Sequence, residues 1–216
     1  MGPTTPGWLA LPEEEFQERY RPAQNITPGY LHRVLVRALG ASVATPPDEE
    51  ALKHKPLVLD LGSPLPPRLR FYLYQVTQHT SERQQGTYKV QLTSGITDRA
   101  SGHEIPRQGA KRARLHFDRA GNIRPILMGY HPEWNLFILW DADLHDLGQG
   151  FSYSKSVYAP PELVGKALAR GIFQTSRRLH APATLENIIA VRPRRLPEAL
   201  KLRIRLSNEA MFEGLF

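Results

Sequence analysis

The chain has no cysteine among its 216 residues. Disulfides and thiolate metal sites are therefore excluded. It also lacks any apolar run near the roughly 18 residues that a membrane-spanning helix needs. The opening stretch MGPTTPGWLALPEEE has no basic flank before its short apolar patch and turns acidic at once, so it does not read as a signal peptide. A cytoplasmic location is the default expectation. No G-x-G-x-x-G turn occurs and strands do not alternate with helices, which argues against a doubly wound dinucleotide-binding sheet. Internal repeats and low-complexity segments are absent. No lysine has an acidic residue two places before it: those positions hold Ala51, Lys53, Thr87, Gly109, Tyr153, Val164 and Ala199. The Glu/Asp-x-Lys tripeptide of a common Mg²⁺-dependent nuclease pattern is thus missing.

What is present is arginine. The chain carries 21 Arg against 7 Lys, a formal net charge of +7 and a pI of about 9.8. The charge is uneven, with a net of −2 over residues 1–60 and +9 over residues 61–216. Guanidinium forks suit phosphates and guanine edges, so the bias fits nucleic-acid contact. A high-GC or thermophilic source would produce the same bias. The hydrophobic content of 41% is enough for a packed globular core.

Periodicity organises the chain. Glu13–Tyr20 reads as a short helix with acids in its first turn. Thr27 and Pro28 read as the cap and first position of a second helix, whose apolar residues Tyr30, Leu31, Val34, Leu35 and Leu39 recur at helical spacing before Gly40. From Pro56 the period becomes that of strands. Arg68–Thr77 and Thr87–Leu92 read as one hairpin, and Arg112–Asp118 with Ile123–Tyr130 as a second. Asn135–Trp140 and Ser152–Tyr158 add two strands. A helix over Pro160–Ala169, strands over Ile172–Ser176 and Asn187–Val191, and a helix over Leu196–Leu206 complete the order. This predicts an α+β fold: a mostly antiparallel, curved sheet (a meander or open barrel) with N-terminal helices and a C-terminal α-β-β-α segment. Residues 1–55 read as a helical cap and 56–216 as the main domain.

The stretch YHPEWNLFILWDADLHDLGQGFSYSKSVY, Tyr130–Tyr158, holds the densest chemistry. Asp141 and Asp143 follow an apolar strand, with Glu133 upstream. Carboxylates at a strand end are where nucleases hold Mg²⁺, and equally where chains turn into solvent. Ser152-Tyr153-Ser154-Lys155 matches the S-x-x-K spacing of serine acyl-transfer enzymes, but the companion motifs are missing and the stretch alternates like a strand. The same hydroxyls and Lys155 suit phosphate oxygens. Trp140 and Tyr153 offer aromatic walls for a base, or ordinary core packing. Nine Lys/Arg lie between Arg83 and Arg124; Arg112 and Arg114 would share one strand face, either a basic stripe along a phosphate backbone or a solvated surface. Arg177, Arg178, Arg192, Arg194 and Arg195 form a second basic group.

The blocks LRFYLYQVTQHT, TYKVQL, GYHPEWNLFILWDADLHD, FSYSKSV and IIAVRPRRLPEALKLRIRL resemble the methylase-associated X1 module of restriction-modification systems, over about Val58 to Phe216. The resemblance carries no catalytic residue across. It implies recognition of double-stranded DNA within a restriction-modification or related defence system, alone or beside a restriction or methyltransferase subunit, with no cofactor. On that reading Arg83, Lys89, Lys111, Arg112, Arg114 and Lys155 meet phosphates, Ser152, Tyr153, Ser154, Arg177 and Arg178 join them in contacting the nucleic acid, and a specific or modified base meets Trp140 and Tyr153. The alternative is a Mg²⁺-dependent type II endonuclease using Glu133, Asp141 and Asp143. A homodimer and a protein-interaction subunit with an acidic partner are further readings.

Overall fold

The computed structural model of the protein describes residues 5–21, 26–78, 86–92, 116–146, 155–179 and 184–213. Helix α1 (Glu13–Tyr20) carries Glu13, Glu14 and Glu15 in its first turn. Helix α2 (Pro28–Leu39) starts where the Thr27 side chain accepts from the Tyr30 amide at 3.2 Å, and it stops at Gly40, whose φ of 51° suits a residue without Cβ. The Tyr30 hydroxyl donates to Gln17 at 2.8 Å and joins the two helices.

Among the described residues nine strands follow from Leu57 onward: β1 (Leu57–Asp60), β2 (Arg68–Gln75), β3 (Thr77–Gln78), β4 (Tyr88–Leu92), β5 (Arg124–His131), β6 (Leu136–Trp140), β7 (Lys155–Ala159), β8 (Ile172–Arg178) and β9 (Leu185–Val191). Three more helices are α3 (Ala142–His145), α4 (Pro161–Arg170) and α5 (Leu196–Glu213). The main sheet has six strands in the order β1-β2-β5-β6-β9-β8, and a second sheet has three in the order β3-β4-β7. Among the described strands only β2 and β5 pair in parallel; the sheet is mixed, mostly antiparallel and not closed, and the fold is α+β.

Two expected hairpins are replaced by other pairings. The Arg68–Thr77 stretch breaks at Val76, and only Thr77 and Gln78 pair with β4, in the second sheet. β2 lies between β1 and β5 instead. β5 pairs with β2 and β6, and His116–Asp118, the described part of its expected partner, is not a strand. Residues 112–115 and the loop over Ser94–Gly109 lie outside the described residues.

The main sheet divides two apolar cores. On one face Phe16, Tyr30, Leu35, Phe71, Ile189, Val191 and Leu200 join α1, α2 and α5 to the sheet. On the other, Val90, Val157, Leu163, Ile138, Trp140 and Ile188 join the small sheet and α4. The small sheet sits very close at Gly129: a Cβ there would stand 2.5 Å from both Val76 Cγ2 and Val90 Cγ1.

Candidate nucleic-acid interface

β8 is an edge strand, and its pairing with β9 outruns the rest of the sheet. β6 meets β9 only at Leu139↔Ile189, Ile138↔Ala190 and Phe137↔Val191. The β8–β9 ladder continues through Thr175↔Ile188, Ser176↔Asn187, Arg177↔Glu186 and Arg178↔Leu185. Facing residues of an antiparallel pair share a side, so this ribbon has two distinct faces. The outer face holds Gln174, Ser176, Arg178, Leu185 and Asn187. Ser176, Arg178 and Leu185 are exposed there, while Gln174 and Asn187 are half-buried. Asn187 Oδ1 accepts from Gln174 Nε2 at 3.1 Å and from Ser176 Oγ at 2.6 Å.

The inner face is anchored by buried charge. Glu186 is fully buried and accepts from His145 Nε2 at 2.7 Å, from Arg177 Nε at 2.8 Å and from the Asp141 amide at 3.3 Å. Burial pushes its carboxyl pKa up, but the His145 and Arg177 contacts outweigh that and hold it below the usual value. On the other, α5 side of the sheet Asp141, also buried, takes Arg203 Nη2 at 2.7 Å and Ser207 Oγ at 3.1 Å on one oxygen and the Asp143 amide at 3.0 Å on the other. Arg203 reaches across to donate to the Asn187 carbonyl. Each buried charge thus has a partner, as burial demands. The network fixes the root of the ribbon to α3 and α5.

The second basic group gathers along the same strand. At the start of β8 the Arg192 amide donates to the Gly171 carbonyl at 2.8 Å, and Arg195 Nη1 to the Arg170 carbonyl at 3.1 Å. Arg170 and Arg194 are exposed there, while Arg195 is paired with Glu198 at 2.6 Å. Arg178 stands at the far end. Arg177 and Arg178, neighbours in sequence, therefore part company: Arg178 faces outward, and Arg177 is spent on Glu186.

The other expected residues fall elsewhere. Lys89 lies half-exposed on the outward side of the small sheet, alternating with buried Tyr88 and Val90. Lys155 is half-buried and donates inward to the His145 carbonyl at 3.1 Å, and burial lowers its pKa. Trp140 is fully buried, with its indole N–H donating to the Tyr158 carbonyl at 2.9 Å, so it is core and no base can stack on it in this arrangement. Arg83, Lys111, Arg112, Arg114, Ser152, Tyr153 and Ser154 lie outside the described residues.

The carboxylates proposed for Mg²⁺ do not converge. Exposed Glu133 and buried Asp141 flank opposite ends of β6, a separation of about 15–20 Å by strand rise. Asp141 is committed to Arg203 and Ser207, and Asp143 pairs with Arg119. Among the described residues no group of three or more His, Asp or Glu side chains is placed to hold a metal ion.

The ribbon residues Gln174, Ser176 and Asn187, and the network residues Glu186, Arg203 and Ser207, are not marked by any motif. Their signal is faint: polar residues at alternate positions in IFQTSRR, an acid and an amide inside the apolar strand LENIIAV, and an Arg–Ser pair at i, i+4 on a helix.

The described residues form an α+β module with a mixed, open sheet and a polar edge ribbon. The family model described as methylase-associated X1 matches residues 67–200, and the chain belongs to that family. Its setting is accordingly restriction-modification-related. Neither a curated protein nor a solved structure matches the chain. No helix among the described residues is long and apolar enough to cross a membrane.

Proposed function

We propose that this protein is a duplex-DNA recognition module of a restriction-modification system, acting beside a methyltransferase or restriction subunit that supplies the chemistry. The observation that carries this reading is the outer face of the β8–β9 ribbon. Its hydrogen-bonding side chains run along one edge strand, with exposed arginines at both ends. A two-stranded ribbon is one of the elements that the DNA major groove admits. The four-residue advance from Gln174 to Arg178 spans about 13 Å, against a groove about 12 Å wide. Arg178 at one end and Arg194 at the other are then placed to meet the bordering phosphates, while the amides and Ser176 meet base edges; the Arg170 guanidinium lies over Phe173, on the opposite face. The net charge of +9 over residues 61–216 favours approach to a polyanion.

A salt-titrated binding assay on a labelled duplex tests the reading. Each phosphate neutralised adds about −0.9 to the log-log slope, so the two ribbon-end arginines alone give about −2. Affinity indifferent to salt would sink the proposal. The same assay with Mg²⁺ and plasmid expects intact DNA and no change in affinity; cutting that disappears in Asp141→Ala would replace this reading with the nuclease.

A further inference from the structure

We infer that Gln174 and Asn187 form an adenine-reading pair in the major groove. The inference rests on the DNA-binding reading above and adds the base. Asn187 Oδ1 is held twice, by Gln174 Nε2 at 3.1 Å and by Ser176 Oγ at 2.6 Å. Two bonds fill the two lone pairs of that oxygen, leaving the Asn187 amide N–H groups as outward donors and Gln174 Oε1 as an outward acceptor. Exchanging nitrogen and oxygen on both amides reverses the roles: Asn187 then keeps an acceptor and Gln174 a donor. Whichever way the amides are turned, the pair offers one donor and one acceptor.

That pattern selects among bases. In the major groove adenine presents an acceptor at N7 next to a donor at N6. Guanine presents two acceptors, cytosine one donor, and thymine one acceptor with a methyl group. Adenine is the single base that satisfies both halves of the pair. The amides are also pre-set, because Arg203, tied to buried Asp141, donates to the Asn187 carbonyl and fixes that stretch of β9. Little side-chain ordering then remains to be done on binding.

A consequence follows for modified DNA. In a base pair one N6–H is used by thymine and the other faces the major groove. A methyl group on N6 takes the groove-facing position, because the pairing N–H must stay. The acceptor of the amide pair would then meet a methyl group, so N6-methyladenine would be discriminated against at this position.

The experiment selects duplexes from a pool with a randomised core, using the full chain, and measures affinity for the selected sequence. The expected motif contains an adenine at which 7-deazaadenine or N6-methyladenine weakens wild-type binding about tenfold or more. Gln174→Ala and Asn187→Ala should reduce the preference for that adenine to within about threefold. The base analogues need only the wild-type chain, so a variant that folds poorly does not spoil the test. A selected motif with no adenine sensitive to either analogue overturns the adenine assignment and leaves DNA binding standing. Failure to bind any duplex at low salt overturns the DNA-binding reading itself, and the assignment with it.

Discussion

His32 shows what burial does to a single titratable side chain. It is fully buried in α2, its Nδ1 hydrogen-bonds to the Leu52 carbonyl at 2.7 Å, and desolvation brings its pKa down to about 4. The folded protein therefore holds the ring neutral, with Nδ1–H donating. Between pH 6.5 and 4 the unfolded chain binds a proton that the folded chain does not, so stability falls as pH falls through that window. The shift from 6.5 to about 4 corresponds to roughly 3 kcal/mol at full extent. Urea unfolding at a series of pH values should show this loss, and His32→Asn, which offers an amide donor near Nδ1, should flatten it. An unchanged slope in the variant would assign the acid sensitivity to other groups. Glu186 acts lower on the scale: its depressed pKa gives stability that is present above the usual carboxyl range and lost below it. None of this was visible at the sequence level. His32 reads there as one more helix residue, because its partner is 20 positions away. Asp141 is a sharper instance. As an acid after an apolar strand it reads as a metal ligand or a solvated turn, and the arginine that buries it is 62 residues on.

At the scale of elements, local pattern was informative and pairing was not. Helix α2, with its Thr27 cap and Gly40 stop, follows directly from its residues. So do the existence and approximate limits of β6 and α4, and the start of α5, which runs on to Glu213 past the expected end at Leu206. Alternation identifies a strand but not its neighbour. The parallel pairing of β2 with β5 joins strands separated by the whole of β3 and β4, which no short-range signal encodes. The break at Val76 has a similar origin: its amide donates to the Tyr130 carbonyl at 2.9 Å, and the next two residues pair in the other sheet. Gly129 is the element-level device that brings the two sheets together, since any side chain there meets Val76 and Val90. Gly129→Ala should overpack this contact and cost about 1–3 kcal/mol. In a chain of this size that is a loss of several degrees in Tm, on the order of 2–4 °C per kcal/mol. Calorimetry decides it; a Tm unchanged or raised would mean that the small sheet slides away without strain.

At the scale of the molecule, the proposed DNA-binding role has two candidate surfaces, and the sheet separates them. The outer face of the β8–β9 ribbon lies on the α5 side of the main sheet, since Ile189 and Val191 on that face join the core beneath α5. Lys89 lies on the far side of the small sheet, beyond the second core. Stacked sheets stand about 10 Å apart. The Debye length at physiological salt is about 8 Å, so a cation on one surface is largely screened from a phosphate on the other. Single neutralisations can therefore identify the face that meets DNA. Removing a cation that contacts phosphate lowers the salt slope by about 0.9 and weakens binding across sequences alike. Arg178→Gln should do this, because Arg178 is exposed at the end of the ribbon and has no carboxylate paired with it among the described residues. Lys89→Gln should leave slope and affinity unchanged. The reverse result would move the interface to the small sheet and strip the ribbon of its role. Arg177→Gln separates charge from architecture. Arg177 is bonded to buried Glu186 at 2.8 Å, so its loss should show in unfolding before it shows in the salt slope. If the slope fell by a full phosphate with stability intact, Arg177 would belong to the DNA and the buried network would not be what holds the ribbon in place.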